Sequence, residues 1–237
     1  MIKYLTYFKC NISKNLVFRF DFFTEYLSQF ITIIVKIFLW QAIIYSSGNI
    51  QMSTIITYFI IASLVSQTTD LNINLSYCIR TGELSNHLIK PVNIFIMEYI
   101  KALSDKIISF IKFIPMFILL ILLFRNFFAM PIISVYGVLF LFIGFTISFS
   151  IQLLIHNLAF WMTEVSAINF ILTTVFTVVS GNLIPLDLLP INIKSIFNVL
   201  PFKFYIYIPV NAFMGSIDVR NELMLGTIYI ICFFDNK

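Results

Sequence analysis

The stretch IRTGELSNHLIKPVN, residues 79–93, gathers ionisable side chains that most of this chain lacks. Arg80, Glu83, His87 and Lys90 recur at three- and four-residue intervals, behind Gly82 and ahead of Pro91. Residues so spaced meet on one side of a helix. A short helix of this pattern presents a mixed polar face, anchored by Leu84 and Leu88, and Pro91 stops it. Its chemistry is recognition: a rigid surface built to be touched by a soluble partner. Lys36 is a second unusual cation, because it lies inside the apolar run IIVKIFLW. A lysine at a bilayer centre costs about 2.5–3.5 kcal/mol on insertion scales. Two readings stand: a pathway or pairing residue, or a side chain snorkelling toward nearby headgroups. Asn169, Thr173, Thr174 and Thr177 form a third polar set, mostly three or four apart in another apolar run. They serve as interhelical hydrogen-bonding groups or line a substrate path.

Catalytic patterns are missing. The sequence holds no GxxxxGK[ST] phosphate loop, so the chain should not hydrolyse ATP by itself. It has no HExxH and no GxSxG. His87 and His156 are far apart and lack neighbours at metal-ligand spacing, so no metal is expected. Cys10, Cys78 and Cys232 make neither a CxxC pair nor a disulfide framework.

The elements that must carry these residues are membrane helices. Of 237 residues, 60% are hydrophobic and 11% charged. A soluble domain carries about 45–50% apolar and about 25% charged residues. There is too little polar surface here to coat a water-soluble globule. Five runs approach the ~20 apolar residues that span a bilayer: roughly 27–46, 54–75, 107–125, 132–155 and 165–184. A sixth span starts near residue 222 and reads as truncated by the end at Lys237, or else as deformed or only partly inserted. Pro115 is expected to kink the third span. No cleavable signal peptide is visible in the first 25 residues.

Basic residues set the orientation. Lys3, Lys9, Lys14 and Arg19 precede the first span, and Arg80, Lys90, Lys101 and Lys106 follow the second. Arg125, Lys194, Lys203 and Arg220 occupy the other side, a smaller set. The N-terminus is therefore expected in the cytoplasm. The net charge of +4 is explained by this placement, and no nucleic-acid partner is expected.

Leu5, Phe8, Ile12 and Leu16 share a helical face opposite Lys3 and Lys14, so residues 1–25 read as an interfacial helix against lipid. Residues 92–106, with Ile96, Tyr99, Ile100 and Leu103 on one side, read as a second interfacial helix leading into the third span. Between spans five and six, Pro185, Pro190, Pro201 and Pro209 divide an apolar segment into short pieces. Irregular backbone at membrane depth survives only when buried in protein or lining a cavity. The expectation is a re-entrant helical hairpin over 185–215, capping the external end of a pathway.

Three stretches, in order, carry a family resemblance. IRTGELSNHLIKPVN resembles the cytoplasmic coupling segment of the ABC type-2 transporter permeases, in the bacterial branch that includes multidrug and viologen exporters. FLWQAIIYSSGNI resembles that branch's first span and outer loop. SGNLIPLDLLPINIKSIFNVLPFKFYIYIPVNAFMG resembles its fifth span end and external hairpin. The resemblance implies one all-α permease domain over 1–237: a six-helix transmembrane bundle with a short cytoplasmic coupling helix in 76–106. It implies an exporter subunit of a bacterial plasma membrane, paired with a second permease subunit, the same or a paralogous chain. Two separate ATPase subunits would bind ATP and Mg, and this chain no cofactor. Arg80, Gly82, Glu83, Leu84, His87, Lys90 and Pro91 would meet the ATPase. Pro185, Leu186, Asp187, Pro190, Pro201 and Phe202 would shape the external cap, and Lys36, Asn169, Thr173 and Thr177 remain pathway candidates. The residues alone also admit a stand-alone channel, an ion-coupled transporter, or a membrane assembly protein that transports nothing.

Overall fold

The computed structural model describes residues 2–15, 20–47, 51–71, 73–89, 92–132, 134–162 and 164–234. Among these the chain is all-helical, without a strand. Four helices are long and apolar enough to cross a membrane: α2 (Phe20–Ser47), α3 (Met52–Thr69), α6 (Ile94–Leu123) and α7 (Val135–Asn157). At 1.5 Å per residue they measure ~42, ~27, ~45 and ~34 Å, against a hydrocarbon core of about 30 Å. Around them lie α1 (Ile2–Asn15), α4 (Leu75–Arg80), α5 (Leu84–Leu88), α8 (Ser166–Val179), α9 (Ile191–Val199), α10 (Tyr207–Met214) and α11 (Val219–Phe234).

Helix α3 is the hub, packed against α2, α6, α7 and α10. Its residues from Ile55 to Ala62 are buried without a break. Helix α7 is likewise buried from Ile143 to Ser150. Over these stretches both bury every face, as helices enclosed by other helices do. Inside a bilayer the gain from such packing is van der Waals contact, because lipid tails are as apolar as leucine. Small residues therefore matter. Gly144 of α7 faces the Phe204 carbonyl so closely that a Cβ there would overlap the oxygen.

The bundle has two ends. The near end gathers the start of α6, the end of α7 and the α4–α5 segment, joined by the Arg80–Glu164 ion pair. The far end joins the loop after α6 to α3 and α10, through Ala129 N–H on Thr57 Oγ1 at 2.9 Å and Ile132 N–H on the Phe213 carbonyl at 2.7 Å.

Several expectations change. Residues 20–25 belong to α2, so the N-terminal helix ends at Asn15. It lies along the start of α6, where Asn11 Nδ2 donates to Ser104 Oγ at 2.7 Å and Asp105 Oδ1 at 2.5 Å. Leu16 and Arg19 fall outside the described residues. Residues 94–106 are not a separate interfacial helix. Asn93 caps α6 by accepting from the Phe95 and Ile96 amides at 2.9 and 3.3 Å, and nothing interrupts the helix before Leu123. It runs on through Pro115. The fifth run is helical only over the 14 residues of α8, ~21 Å. It stops because Gly181 turns left-handed, at φ 86°. The last helix, α11, has 16 residues, ~24 Å.

The segment between α8 and α11 is two short helices and two 3₁₀ turns. Helix α9 buries no residue, and Ile191 and Val199 are largely exposed. Helix α10 is the opposite: Ile208 to Ala212 are buried against α7 and α3. It begins where α8 stops, with the Tyr207 amide donating to the Ser180 carbonyl at 3.0 Å, and Gly215 ends it at φ 74°.

Candidate functional site

At the near end, α3 gives way to α4, whose Leu75 is buried beside Ile73 and Phe149. Helix α4 is held to α7 by His156, whose Nδ1 accepts from the Ser76 amide at 3.4 Å and lies 2.9 Å from Ser76 Oγ. Gly82 supplies the left-handed residue, φ 75°, that turns the chain from α4 into α5, with open space around its Cα. The predicted single helix is thus two short ones across a glycine turn. Leu84 is half-buried and packs with the Ile73 cluster, as an anchor should. Leu88 does not; it is 66% exposed. Glu83 points to solvent. Lys90, Pro91 and the side chain of His87 lie outside the described residues.

Arg80 meets Glu164 at 3.0 Å across the loop between α7 and α8. Glu164 also accepts from the Ser166 hydroxyl at 2.5 Å and lies 3.4 Å from the Ser166 amide. Those hydrogen bonds, and then Arg80, hold its carboxyl below the ordinary carboxylate range. The two near-end loops are therefore clasped. Nothing in the sequence signals this contact, because Arg80 and Glu164 lie 84 residues apart. Phe160 and Trp161 of that loop are exposed, as are Tyr77, Leu88 and Ile89 of the other. The composite face is a mixed polar and aromatic surface on a rigid mount.

Lys36 sits about midway along the apolar part of α2. Its ammonium donates to Asn182 Oδ1 at 2.7 Å and to the Asn182 carbonyl at 3.2 Å. It does not snorkel, because Asn182 offers two oxygens at membrane depth. Hydrogen bonds to a charged group contribute about 1.5–3 kcal/mol each, enough to offset the insertion cost. One turn on, Trp40 Nε1 donates to the Leu183 carbonyl at 3.2 Å. Around Lys36 runs a groove of about 160 Å³. Helix α2 contributes Gln29 and Thr32, and α3 contributes Ser63, Ser66 and Gln67, with Asp70 just past its end. A polar stripe thus leads between two spans from Asp70 to Asn182. Spacing along α3 is its one sequence signal; Asn182 is 146 residues from Lys36 and could not be foreseen.

Asn169, Thr173 and Thr177 do not join this groove. The hydroxyls of Thr173, Thr174 and Thr177 bond carbonyls of their own helix at 2.8–3.0 Å. Asn169 keeps a buried Oδ1 without a partner. The pathway candidates therefore split into Lys36 and a separate α8 set.

Beyond the groove lies the proline-rich segment. Pro185 and Leu186 are buried. Asp187 accepts from Tyr207 and from Lys194, each at 2.7 Å. Pro190 starts α9, Pro201 starts a 3₁₀ turn, and the Phe202 ring stacks on Phe176 with centroids 4.6 Å apart. Lys203, only 2% exposed, lies 2.8 and 2.7 Å from the two oxygens of Glu222 in α11. Tyr58 donates to the Gly181 carbonyl at 2.8 Å, fixing the left-handed turn to α3.

Among the described residues no group of His, Cys, Asp or Glu could hold a metal ion. A family model described as ABC-2 family transporter protein matches residues 29–235. No curated protein and no solved structure matches the chain.

Proposed function

Because this chain belongs to the ABC-2 transporter family, we propose that it is the permease of an ATP-driven exporter, a single membrane domain worked by separate ATPase subunits. It is a multi-pass membrane protein and a transport subunit, not a catalyst in itself. ATP and Mg belong to the partner ATPases. In this reading the N-terminus and the near end face the cytoplasm of a bacterium. A second permease, the same chain or a paralogue, completes the pathway.

The observation that carries the proposal is the clasped near-end face. The α4–α5 segment follows α3 after only five residues, 70–74, and is tied to α7 by His156 and to the next loop by Arg80. A push on it reaches α3 and α7, the two most enclosed helices. A coupling element needs this stiffness, because a ligand shifts a two-state equilibrium only through contacts that differ between the states. ATP-driven closure of the ATPases would move α4–α5 and rock the spans. The Lys36 groove, polar and open between α2 and α3, is the proposed path wall. The α9–α10 segment is the proposed re-entrant cap on the external side, with α10 seated among spans.

The test is co-purification of the N-terminally tagged chain from its native membrane. A stoichiometric ATPase bearing a GxxxxGK[ST] loop is expected. It should be lost when Glu83→Lys is combined with Leu88→Asp, two exposed positions outside the core. An ATPase that stays bound through both changes rules out α4–α5 as the dock.

A further inference from the structure

On a different face of the bundle, α6, α7 and α11 enclose a groove of about 590 Å³ that no step above uses. That volume lies in the usual range for ligand sites, about 300–1,000 Å³. Its walls are aromatic and aliphatic, and among the described residues no Lys, Arg, Asp or Glu lines it. The hydroxyls that line it are already partnered. Tyr99 and Thr146 bond each other at 3.1 Å, Thr146 donates to the Phe142 carbonyl, and Ser150 donates to the Thr146 carbonyl. Tyr99 is further locked edge-on against Phe145 and Phe149. The deep groove therefore asks nothing polar of an occupant.

The rim differs. Asn93 and Asn157 stand together at the near end, where α6 starts and α7 stops. From Phe142 to Asn157 the α7 wall rises 15 residues, ~22 Å. One leaflet holds about half of the ~30 Å hydrocarbon core, so the wall covers a leaflet's chains and puts both amides in the headgroup layer. Phe95, Ile96, Phe142 and Leu154 line the groove and are also largely exposed. The groove is thus continuous with the lipid-facing surface of α6 and α7.

We infer that this groove is a binding site for an acyl chain of a phospholipid from the near-end leaflet, selected by chain and depth and indifferent to headgroup charge. The lipid enters sideways from the bilayer. Its chain fills the cleft that α6, α7 and α11 leave open, and its headgroup meets Asn93 and Asn157.

The test uses the full chain in nanodiscs that contain phosphatidylcholine or phosphatidylglycerol with a diazirine on the acyl chain. After irradiation, label is mapped by peptide. Several-fold more label is expected at Phe142, Leu154 and Phe233 than at Leu27, Val35 and Phe38 of α2, and equally for both headgroups. Leu154→Trp fills the groove from α7, and Ile96→Trp fills it from α6. Each should drop the groove label to the α2 level while thermal stability holds. Equal labelling of groove and α2, or labelling that survives both fillings, reduces the groove to ordinary annular surface and overturns the inference. So does a strong preference for one headgroup, or a disulfide-linked dimer through Leu154→Cys, which would seat a second copy there.

Discussion

Removing Lys203 should damage this protein more than removing any exposed lysine. The ammonium is enclosed, with Glu222 as its ionic partner and the Phe204 ring 5.5 Å away. Lys203→Ala leaves the Glu222 carboxylate uncompensated. Breaking one side of a buried pair costs about 3–5 kcal/mol. For soluble chains of this size each kcal/mol lowers Tm by about 2–4 °C. The expected fall is therefore about 6–20 °C, read as loss of monodisperse protein on heating in detergent. Glu222→Ala should do the same. The double variant Lys203→Met/Glu222→Gln removes both charges at similar volume, and such replacements are often close to neutral. It should therefore be more stable than either single variant. If the double loss equals the sum of the losses of Lys203→Met and Glu222→Gln made singly, the two residues are uncoupled, and the claim that this pair ties the α9–α10 segment to α11 is wrong.

Other outcomes follow from the same contacts. Arg80→Ala and Glu164→Ala each break an exposed, solvent-screened pair, so Tm should barely move, while ATP-driven export falls; an unchanged export rate would deny the clasp a role. The depressed Glu164 carboxyl keeps the clasp ionised above its ordinary range of about pH 4.3. The contribution is present above that value and is lost only as pH falls through the lowered one, so ATPase-coupled export should show no Glu164-dependent loss between neutral pH and about pH 5, and a loss there abolished by Glu164→Gln would contradict the assignment. Lys36→Leu should keep the fold and lose export, since Asn182 gives up its donor; full export would remove Lys36 from the path. Gly144→Ala gains about 1 kcal/mol of helix propensity but drives a methyl into the Phe204 carbonyl, and overpacking costs about 1–3 kcal/mol. A melt no lower than wild type would show that the α7–Phe204 contact gives way.

Hydropathy located α2, α3, α6 and α7, because a helix surrounded by lipid and one surrounded by helices are apolar alike. For the same reason it could not say which of them is enclosed. Nor could it separate residues 94–106 from the span that follows, since only the Asn93 cap and the contacts with α1 show one helix. Arg80 and Glu83 stand out in the sequence because charge is rare in this chain. Glu164, the partner of Arg80, and the acceptor Asn182 do not, because pairing across 84 and 146 residues leaves no periodic trace. From spacing, Asn169, Thr173 and Thr177 read as interhelical groups or as a path. The hydroxyls of Thr173 and Thr177 turn back to carbonyls of their own helix, a choice that spacing does not encode.

The meeting of α8 and α10 has a consequence for synthesis. Helix α8, ~21 Å long, is too short to hold a transbilayer position by itself. The residues that extend its level begin at Tyr207, 27 positions after Ser180. At about 5–20 residues per second, the nascent chain waits roughly one to five seconds with the Ser180 carbonyl lacking its Tyr207 partner. The insertion machinery or the finished α3 and α7 must shelter it in that interval. Ribosome pausing between Ser180 and Tyr207 would lengthen the exposure, which makes this stretch the place where slow codons, or loss of an insertase, should cost yield most.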